Sequence, residues 1–585
     1  MSISTSGETD QLDKLDTVLK RIHELNILKV YRENSTGFGG QSVSLDDIAF
    51  DAEHELLRYD HSQADNSDVD CNRTSERLAQ NVDVLRTFCA VQKAFRAPIR
   101  RLPKELLLYI FELVCDDRCL LVTLGPFKDE YDVDEREETG IINLSCVCSA
   151  WRDTALNTPS LWSVLELSWM HSVSDDRSQQ QQQRQLDVLR SVLSRARSSS
   201  LDIVFSAWQP STPQGISFSE TVFEYLDPLL SAHCHTLTLT SESMAAVIAR
   251  PITWNNMHTL DAETSFSSSF DSPEVHADMP ILHTLRLTAD FPISTHNLQW
   301  TSLRFISARD WDIKELQQTL PSCEQLEQLE LTHLQSAAVE EMDATDEVIV
   351  LERLHTLHLH VDHGYEDGNE GADSPVLCLL SLLVLHALKT LVLDLDQCSS
   401  YRPLFIMLSA CITRWDCQIT TLEISMSSSH LGDFQELCSL CIGLESLNLV
   451  ISPGFTNDYS KQRDSEVYGQ LLQDLVHTLK PDGTSFLPKL TNLALDFIVE
   501  SYPIHDDLYT TIVDMVSSRR QVVSTGISRL QSFQLTLDVD MDNKSIFQPL
   551  EELQGGGLSF KFVHEQKESE VYEPGRVFYT YWTLS

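Results

Sequence analysis

Positive charge is what this chain has least of. Its 43 Lys and Arg residues face 87 Asp and Glu, a formal net charge of -44 at pH 7. A surface so negative repels phosphate backbones and anionic lipid heads, so bulk electrostatics argues against a nucleic-acid or membrane partner. The first residues, Met1-Ser-Ile-Ser-Thr-Ser-Gly-Glu, have neither the basic nor the apolar stretch of a secretory signal. Long apolar runs are missing too. The most apolar, Val376 to Leu395, contains His386, Lys389 and Asp394 and splits into a helix-like half and an alternating half, so it reads as buried core. The 14 cysteines are scattered over 585 residues, not crowded into a framework, which suits reduced thiols in a cytoplasmic or nuclear protein. There is no G-x-S-x-G elbow, no P-loop lysine and no kinase set, so no catalytic residue is assigned and no cofactor is expected. With 42% apolar residues, the chain can nonetheless bury the cores of several domains.

The stretch that organises the rest is 98–163. It opens Pro98-Ile-Arg-Arg-Leu-Pro-Lys-Glu-Leu-Leu and closes Cys148-Ser-Ala-Trp-Arg-Asp, then Leu161-Trp162. Pro103 suits a first helical position, where no N–H is lost. Leu106, Leu107, Ile110, Phe111 and Val114 follow at helical spacing, and Leu144, Val147, Cys148, Trp151 and Ala155 repeat the pattern. Two short amphipathic helices are predicted, separated by an insert at about 116–140 whose acidic run, Asp129 to Glu138, reads as a solvated loop. The ordered set Leu-Pro-x-Glu-Leu-Leu-x-x-Ile-Phe, Leu-Ser-x-Val-Cys-x-x-Trp-Arg and Leu-Trp resembles the F-box motif. That resemblance implies a module that docks on the small Skp-type adaptor, and through it on the cullin scaffold, of a Skp–cullin–F-box ubiquitin ligase. It also implies that Leu102, Pro103, Leu106, Leu107, Ile110, Phe111, Val147 and Trp151 carry the docking, some as contact and some as internal core, with Trp151 the first to assign to core. Lys93, Arg96, Arg100, Arg101 and Lys104 gather ahead of the module; they either steer an acidic partner or form a solvated helix end.

Residues 1–97 form a partly helical region. Leu12, Leu15, Val18, Leu19 and Ile22 predict a short helix, and Gly37-Phe-Gly-Gly40 a flexible turn without the flanking elements of a phosphate loop. Asp60 to Asp70 reads as disordered, and Leu78, Val82, Leu85, Phe88 and Cys89 predict a helix over 74–95. The module spans 98–165, and 166–200 is a Gln- and Ser-rich linker whose Gln179–Gln183 run leads into a helix at Leu186–Leu193.

From 201 to 585 a hexapeptide recurs, apolar-x-x-apolar-x-apolar: Leu282-His-Thr-Leu-Arg-Leu, Leu326-Glu-Gln-Leu-Glu-Leu, Leu354-His-Thr-Leu-His-Leu, Leu388-Lys-Thr-Leu-Val-Leu, Ile419-Thr-Thr-Leu-Glu-Ile, Leu444-Glu-Ser-Leu-Asn-Leu, Leu490-Thr-Asn-Leu-Ala-Leu and Leu530-Gln-Ser-Phe-Gln-Leu. Weaker copies stand at His235-Thr-Leu-Thr-Leu and Trp300-Thr-Ser-Leu-Arg-Phe. Each is a short strand with its alternating side chains turned inward, and stacked copies build a parallel sheet. The hexapeptide resembles the leucine-rich repeat, without that family's Asn or Cys after the strand and with uneven spacing, such as 285 to 303 against 447 to 493. The fold class is therefore α/β: helical N-terminal region and F-box-like helices, then an irregular leucine-rich-repeat-like solenoid of parallel strands and connecting helices, Tyr468 to Leu479 among them. The His-Thr-Leu tripeptides at 235, 258, 283, 355 and 477 are read as solvent-side and as poor strand markers.

Two constellations hint at metal. His358-Leu-His-Val-Asp-His363 spells the H-x-H-x-D-H of metallo-β-lactamase-type hydrolases, but its first half already belongs to the repeat and its structural frame is missing. Cys438-Ser-Leu-Cys441, with Cys411 and Cys417 upstream, lies in an apolar run where cysteine acts as a small hydrophobe. No metal site is assigned. The expected function is a substrate receptor of the ligase, holding an unknown protein target on the solenoid; the alternatives are a scaffold whose helices pack only on the chain itself and a zinc hydrolase through His358, His360 and His363.

Overall fold

The structure, a computed structural model, describes residues 14, 16–21, 42–65, 73–96, 102–115, 120–124, 140–169, 179–196, 199–206, 213–240, 247, 252–263, 278–288, 298–334, 348–362, 375–396, 402–427, 431–452, 472–473, 475, 486–497, 506–521, 527–537, 548–554 and 556–564. It is mixed α/β, in two compact units: residues 1–167 with 172–201, and 168–171 with 202–585.

In the first unit, helical residues 16–21 join α1 (Ser42–Asp65) and α2 (Arg73–Arg96). Val18, Ile48, Ala52, Val82, Leu85, Phe88 and Cys89 bury one another in a shared cluster. The disorder expected from Asp60 fails over 60–65, which are helical. Those residues offer only Ala64 as an apolar side chain to read, but they prolong a helix already anchored by Ile48 and Ala52, and Arg86 Nη2 donates to Asp60 Oδ1 at 2.7 Å. Lys93 from the basic group pairs with Glu53 at 3.1 Å; Arg100 and Arg101 lie outside the described residues.

The stretch from 98 holds three helices, not two: α3 (Lys104–Cys115), α4 (Gly140–Val147) and α5 (Ser149–Leu156). The apolar spacing from Leu144 to Ala155 runs across a break. Cys148 is fully extended at φ -162, ψ 171, and its carbonyl accepts from Arg152 N at 2.9 Å, so it caps α5 and does not continue α4. Pro103 likewise precedes its helix, its carbonyl accepting from Leu106 N and Leu107 N at 3.1 Å. The insert contains a strand the sequence reading did not assign: β1 (Leu120–Leu124), with Leu120 and Val122 buried, which neighbours β2 (Val164–Trp169). The acidic run 129–138 lies outside the described residues. A 3-10 turn, Pro159–Trp162, seats Trp162, whose Nε1 donates to Ala155 O at 2.7 Å while the Arg195 guanidinium sits 4.6 Å over its ring. Arg195 comes from α6 (Gln179–Ala196), which buries Leu186, Leu189, Val192 and Leu193 and leaves its glutamine end polar.

The second unit is a parallel sheet whose strand order follows the chain. Its strands are β3 (Leu201–Ser206), β4 (Cys234–Thr240), β5 (Thr259–Glu263), β6 (Thr284–Thr288), β7 (Phe305–Arg309), β8 (Gln328–Thr332), β10 (Thr356–Asp362), β12 (Thr390–Asp396), β13 (Thr421–Ser427), β14 (Ser446–Ser452), β15 (Asn492–Phe497), β16 (Ser532–Leu537) and β17 (Ser559–His564). A separate parallel pair joins β9 (Ile349–Val350) to β11 (Leu383–Val384). Every hexapeptide opens a strand, and the central apolar residues pair in register from Leu237 through Leu260, Leu285, Ile306, Leu329, Leu357, Leu391, Leu422, Leu447 and Leu493 to Phe533. None of these exceeds 2% exposure. Burying each is worth about 1.5–3 kcal/mol over leaving it in water.

The weak copy expected at Trp300 is displaced by three residues. Leu285 pairs with Ile306, so the motif reads Leu303-Arg-Phe-Ile-Ser-Ala and the interval is 21 residues, not 18. Trp300 fills an apolar position three residues further upstream that recurs at Met279, Cys323, Leu351, Leu385, Cys441 and Leu487, each carbonyl accepting from the N–H of the repeat's first apolar residue. The repeat is thus nine residues long, and this position is where Cys441 belongs. Connecting helices fill the intervals, including α7 (Pro213–His233), α8 (Ile313–Thr319), α9 (Pro375–Leu382), α10 (Arg402–Trp415), α11 (Leu431–Leu440), α12 (Asp506–Arg520) and α13 (Gln548–Gln554). From α8 to α11, and from α12 to α13, each helix packs on the next. In the connector expected to be helical from Tyr468, Leu472 and Leu475 are helical and buried, and the rest lies outside the described residues.

Candidate functional site

Helix α3 carries apolar residues on both faces, although among the described residues only one of them packs on a neighbour. Leu107 and Phe111 point inward and are buried, with the Phe111 ring 5.1 Å from Trp151 in an edge-on contact. Leu106, Tyr109 and Leu113 are on the other side, between 52% and 59% exposed, Ile110 is half-buried, and Val114, near the helix end on the side of Leu107, is 41% exposed. A helix hydrophobic all round normally lies in a protein interior. An exposed apolar face on such a helix is a surface that water disfavours and a partner can cover.

Of the residues read from the sequence as docking, the structure splits the set. Leu107, Phe111 and Trp151 are core; Leu106, Pro103 and Val147 are exposed; Leu102 and Ile110 are intermediate. Val147 and Trp151 do not share a face, because the break at Cys148 falls between them. Tyr109, Leu113 and Ile142 are exposed apolar residues that the reading omitted. Their signal was present: 106, 109, 110 and 113 share one helical face as surely as 107 and 111 share another.

The second surface is the outer face of the sheet. His358 and His360 both project from β10 and are engaged by the flanking strands. His358 Nδ1 lies 3.7 Å from Glu330 on β8, and His360 Nδ1 lies 2.8 Å from Asp394 on β12. Burial pushes the Asp394 carboxyl up, but the hydrogen bond and charge of His360, with His358 and Ser425, outweigh it and hold the group below its ordinary value. His363 lies outside the described residues. Among the described residues no group of three or more His, Cys, Asp or Glu is placed to hold a metal ion. Cys438 and Cys441 are buried, and burial drives both thiols up, Cys441 to about 12, which disfavours the thiolate a zinc ion needs.

The other histidines correct the sequence reading. His235, His258, His283 and His355 each stand at the start of a strand, and the tripeptide at 477 lies outside the described residues. Nor are they all bystanders in solvent: His235 is exposed, but His258 and His283 are half-buried, and the His258 ring stacks on His235 at 4.5 Å and meets His283 edge-on at 5.3 Å. Their backbones form a row in which His258 N donates to His235 O and His283 N to His258 O, both at 2.9 Å. Burial, then the neighbouring His258 and Arg304, push the His283 pKa down. No described helix is long and apolar enough to cross a membrane. No family model matches the chain, and no curated protein matches it in sequence.

Proposed function

We propose that the chain is a substrate receptor of a Skp–cullin–F-box ubiquitin ligase, working in the cytosol or nucleus. The observation that carries the reading is the exposed apolar face of α3, Leu106, Tyr109 and Leu113, on a helix whose residues follow the F-box order. Leu107, Phe111 and Trp151 hold the module together, while the outer face offers the small adaptor a patch whose burial drives association. The second unit, similar in pattern to a leucine-rich-repeat solenoid, holds the target. The mechanism is proximity: the receptor raises the target's effective concentration at the ligase, and other subunits transfer ubiquitin. The scattered thiols suit a reducing compartment.

Co-purification of the full chain with the adaptor tests the reading. Leu106→Asp with Leu113→Asp is expected to abolish the complex while leaving the circular dichroism melt unchanged. Failure of the unaltered chain to bind the adaptor overturns the proposal in favour of a scaffold whose helices serve only the chain itself.

A further inference from the structure

Among the described residues, strands β8 to β16 present a face with no element packed on it, whose outward side chains are mostly polar and half-buried, with Val392, Val450 and Ala494 among them, while the inward ones are buried. Its charges have one sign. Among the described residues no Lys or Arg occupies an outward position from β8 through β16; β7 carries Arg309, but that side chain lies 3.6 Å from Asp310. Glu330, Asp394 and Glu423 stand on β8, β12 and β13. The first two have imidazole partners. Glu423 is half-buried between Val392 and Asn448 and makes no hydrogen bond or ion pair among the described residues. A partly dehydrated carboxylate with nothing to neutralise it is a group that an incoming cation stabilises. Beyond it the floor is low, with Asn448 followed in register by Ala494.

We infer that this open sheet face receives an extended, basic protein segment, with Glu423 as the principal counter-charge and Glu330 and Asp394 beside it. The inference rests on the receptor reading in naming its target class, and it concerns a different surface from the adaptor's. Register sets the spacing. Glu330 and Glu423 share one column, three strands apart through His358 and Val392. At about 4.8 Å per strand that is about 14 Å. An extended peptide advances about 3.4 Å per residue, so cationic side chains four positions apart match the two carboxylates. Charge complementarity of this kind also steers the encounter and selects against acidic segments.

The test is fluorescence anisotropy of the full chain with a labelled twelve-residue peptide carrying Arg at two positions four apart, near physiological salt. A chain this acidic attracts any cation, so position must be separated from bulk charge. The triple variant Glu330→Gln, Asp394→Asn and Glu423→Gln removes three charges from the face. A control triple, Glu436→Gln, Glu551→Gln and Glu552→Gln, removes three exposed charges from α11 and α13. The face variant is expected to weaken binding at least tenfold and the control less than twofold. Glu423→Gln alone, which breaks no contact, is expected to weaken it about threefold, and it decides the matter if the triple variant fails to fold. Equal losses in face and control variants, or no binding by the unaltered chain, overturn the inference. A chain that binds the adaptor but not the peptide leaves the receptor reading standing and removes this one.

Discussion

Leu106 and Phe111 lie five residues apart on the same short helix, yet their substitution should have opposite consequences. Phe111 is wholly buried against Trp151. Phe111→Ala removes an aromatic side chain from a packed site, a change that costs about 3–5 kcal/mol, and is expected to unfold the module in a urea titration. Leu106→Ala exposes less apolar surface, not more, and should leave the same titration unmoved. Sequence spacing marked both residues as apolar but could not say which side faced a neighbour, because α3 repeats apolar residues on both faces. Asp394 gives a second test. Its folded-state pKa is held below its ordinary value, so its stabilisation is complete above about pH 4 and is lost as pH falls through the lower folded value. Denaturation midpoints between pH 2.5 and 7 should therefore decline on the acid side for the unaltered chain and decline less for Asp394→Asn. An equal acid decline in both would remove the His360 pair as the cause. The pairing itself was hidden from the sequence, since positions 360 and 394 meet only through register.

Between elements, the connections that matter come from helix ends. Arg519, near the end of α12, is 1% exposed; its Nε donates to Leu475 O at 2.7 Å, its Nη1 to Leu487 O at 2.7 Å and its Nη2 to Phe486 O at 2.6 Å. Leu487 sits at φ 47, a left-handed conformation costly for a branched side chain. The guanidinium therefore closes the turn that leads into β15. Burial pushes its pKa down to about 10, so it remains charged at neutral pH and its three bonds are charge-assisted. Arg414, in the last turn of α10, does similar work with the carbonyls of Leu380, Ser381 and Leu383. Arg519→Leu would leave three carbonyls without their donor, a loss of about 3 kcal/mol, read by chemical denaturation. Arg519→Lys should recover only part, because an ammonium cannot span the same three acceptors. If Arg519→Leu were as stable as the unaltered chain, the turn would be held by packing alone. Nothing near 519 in the sequence announces this role. An Arg at a helix end is ordinarily a solvated group, and its partners are more than thirty residues away. The strands were legible because each repeats a local pattern; the stitching was not, because it joins residues that share no pattern.

At the scale of the whole chain, two kinds of electrostatics oppose each other, and salt separates them. The described surface pairs, such as Arg286 with Asp261 at 3.7 Å and Arg304 with Glu327 at 3.7 Å, attract, and screening weakens them. The net charge of -44 repels itself, and screening relieves that. Exposed pairs of this kind contribute about 0–1 kcal/mol each, and few exist because cations are scarce. The repulsion involves twice as many acidic as basic residues and acts wherever carboxylates lie within a screening length. That length falls from roughly 20 Å to about 7 Å between 20 and 200 mM salt. Repulsion should therefore dominate, and the thermal midpoint should rise by a few degrees over that range in sodium chloride. A midpoint that fell would mean that the sparse ion pairs outweigh the excess charge. The same titration bears on the peptide: binding to the sheet face should weaken over the range in which the fold strengthens, because screening removes attraction between molecules and repulsion within one. Parallel trends in stability and binding would show that the peptide was following the state of the fold and not the charge of the face.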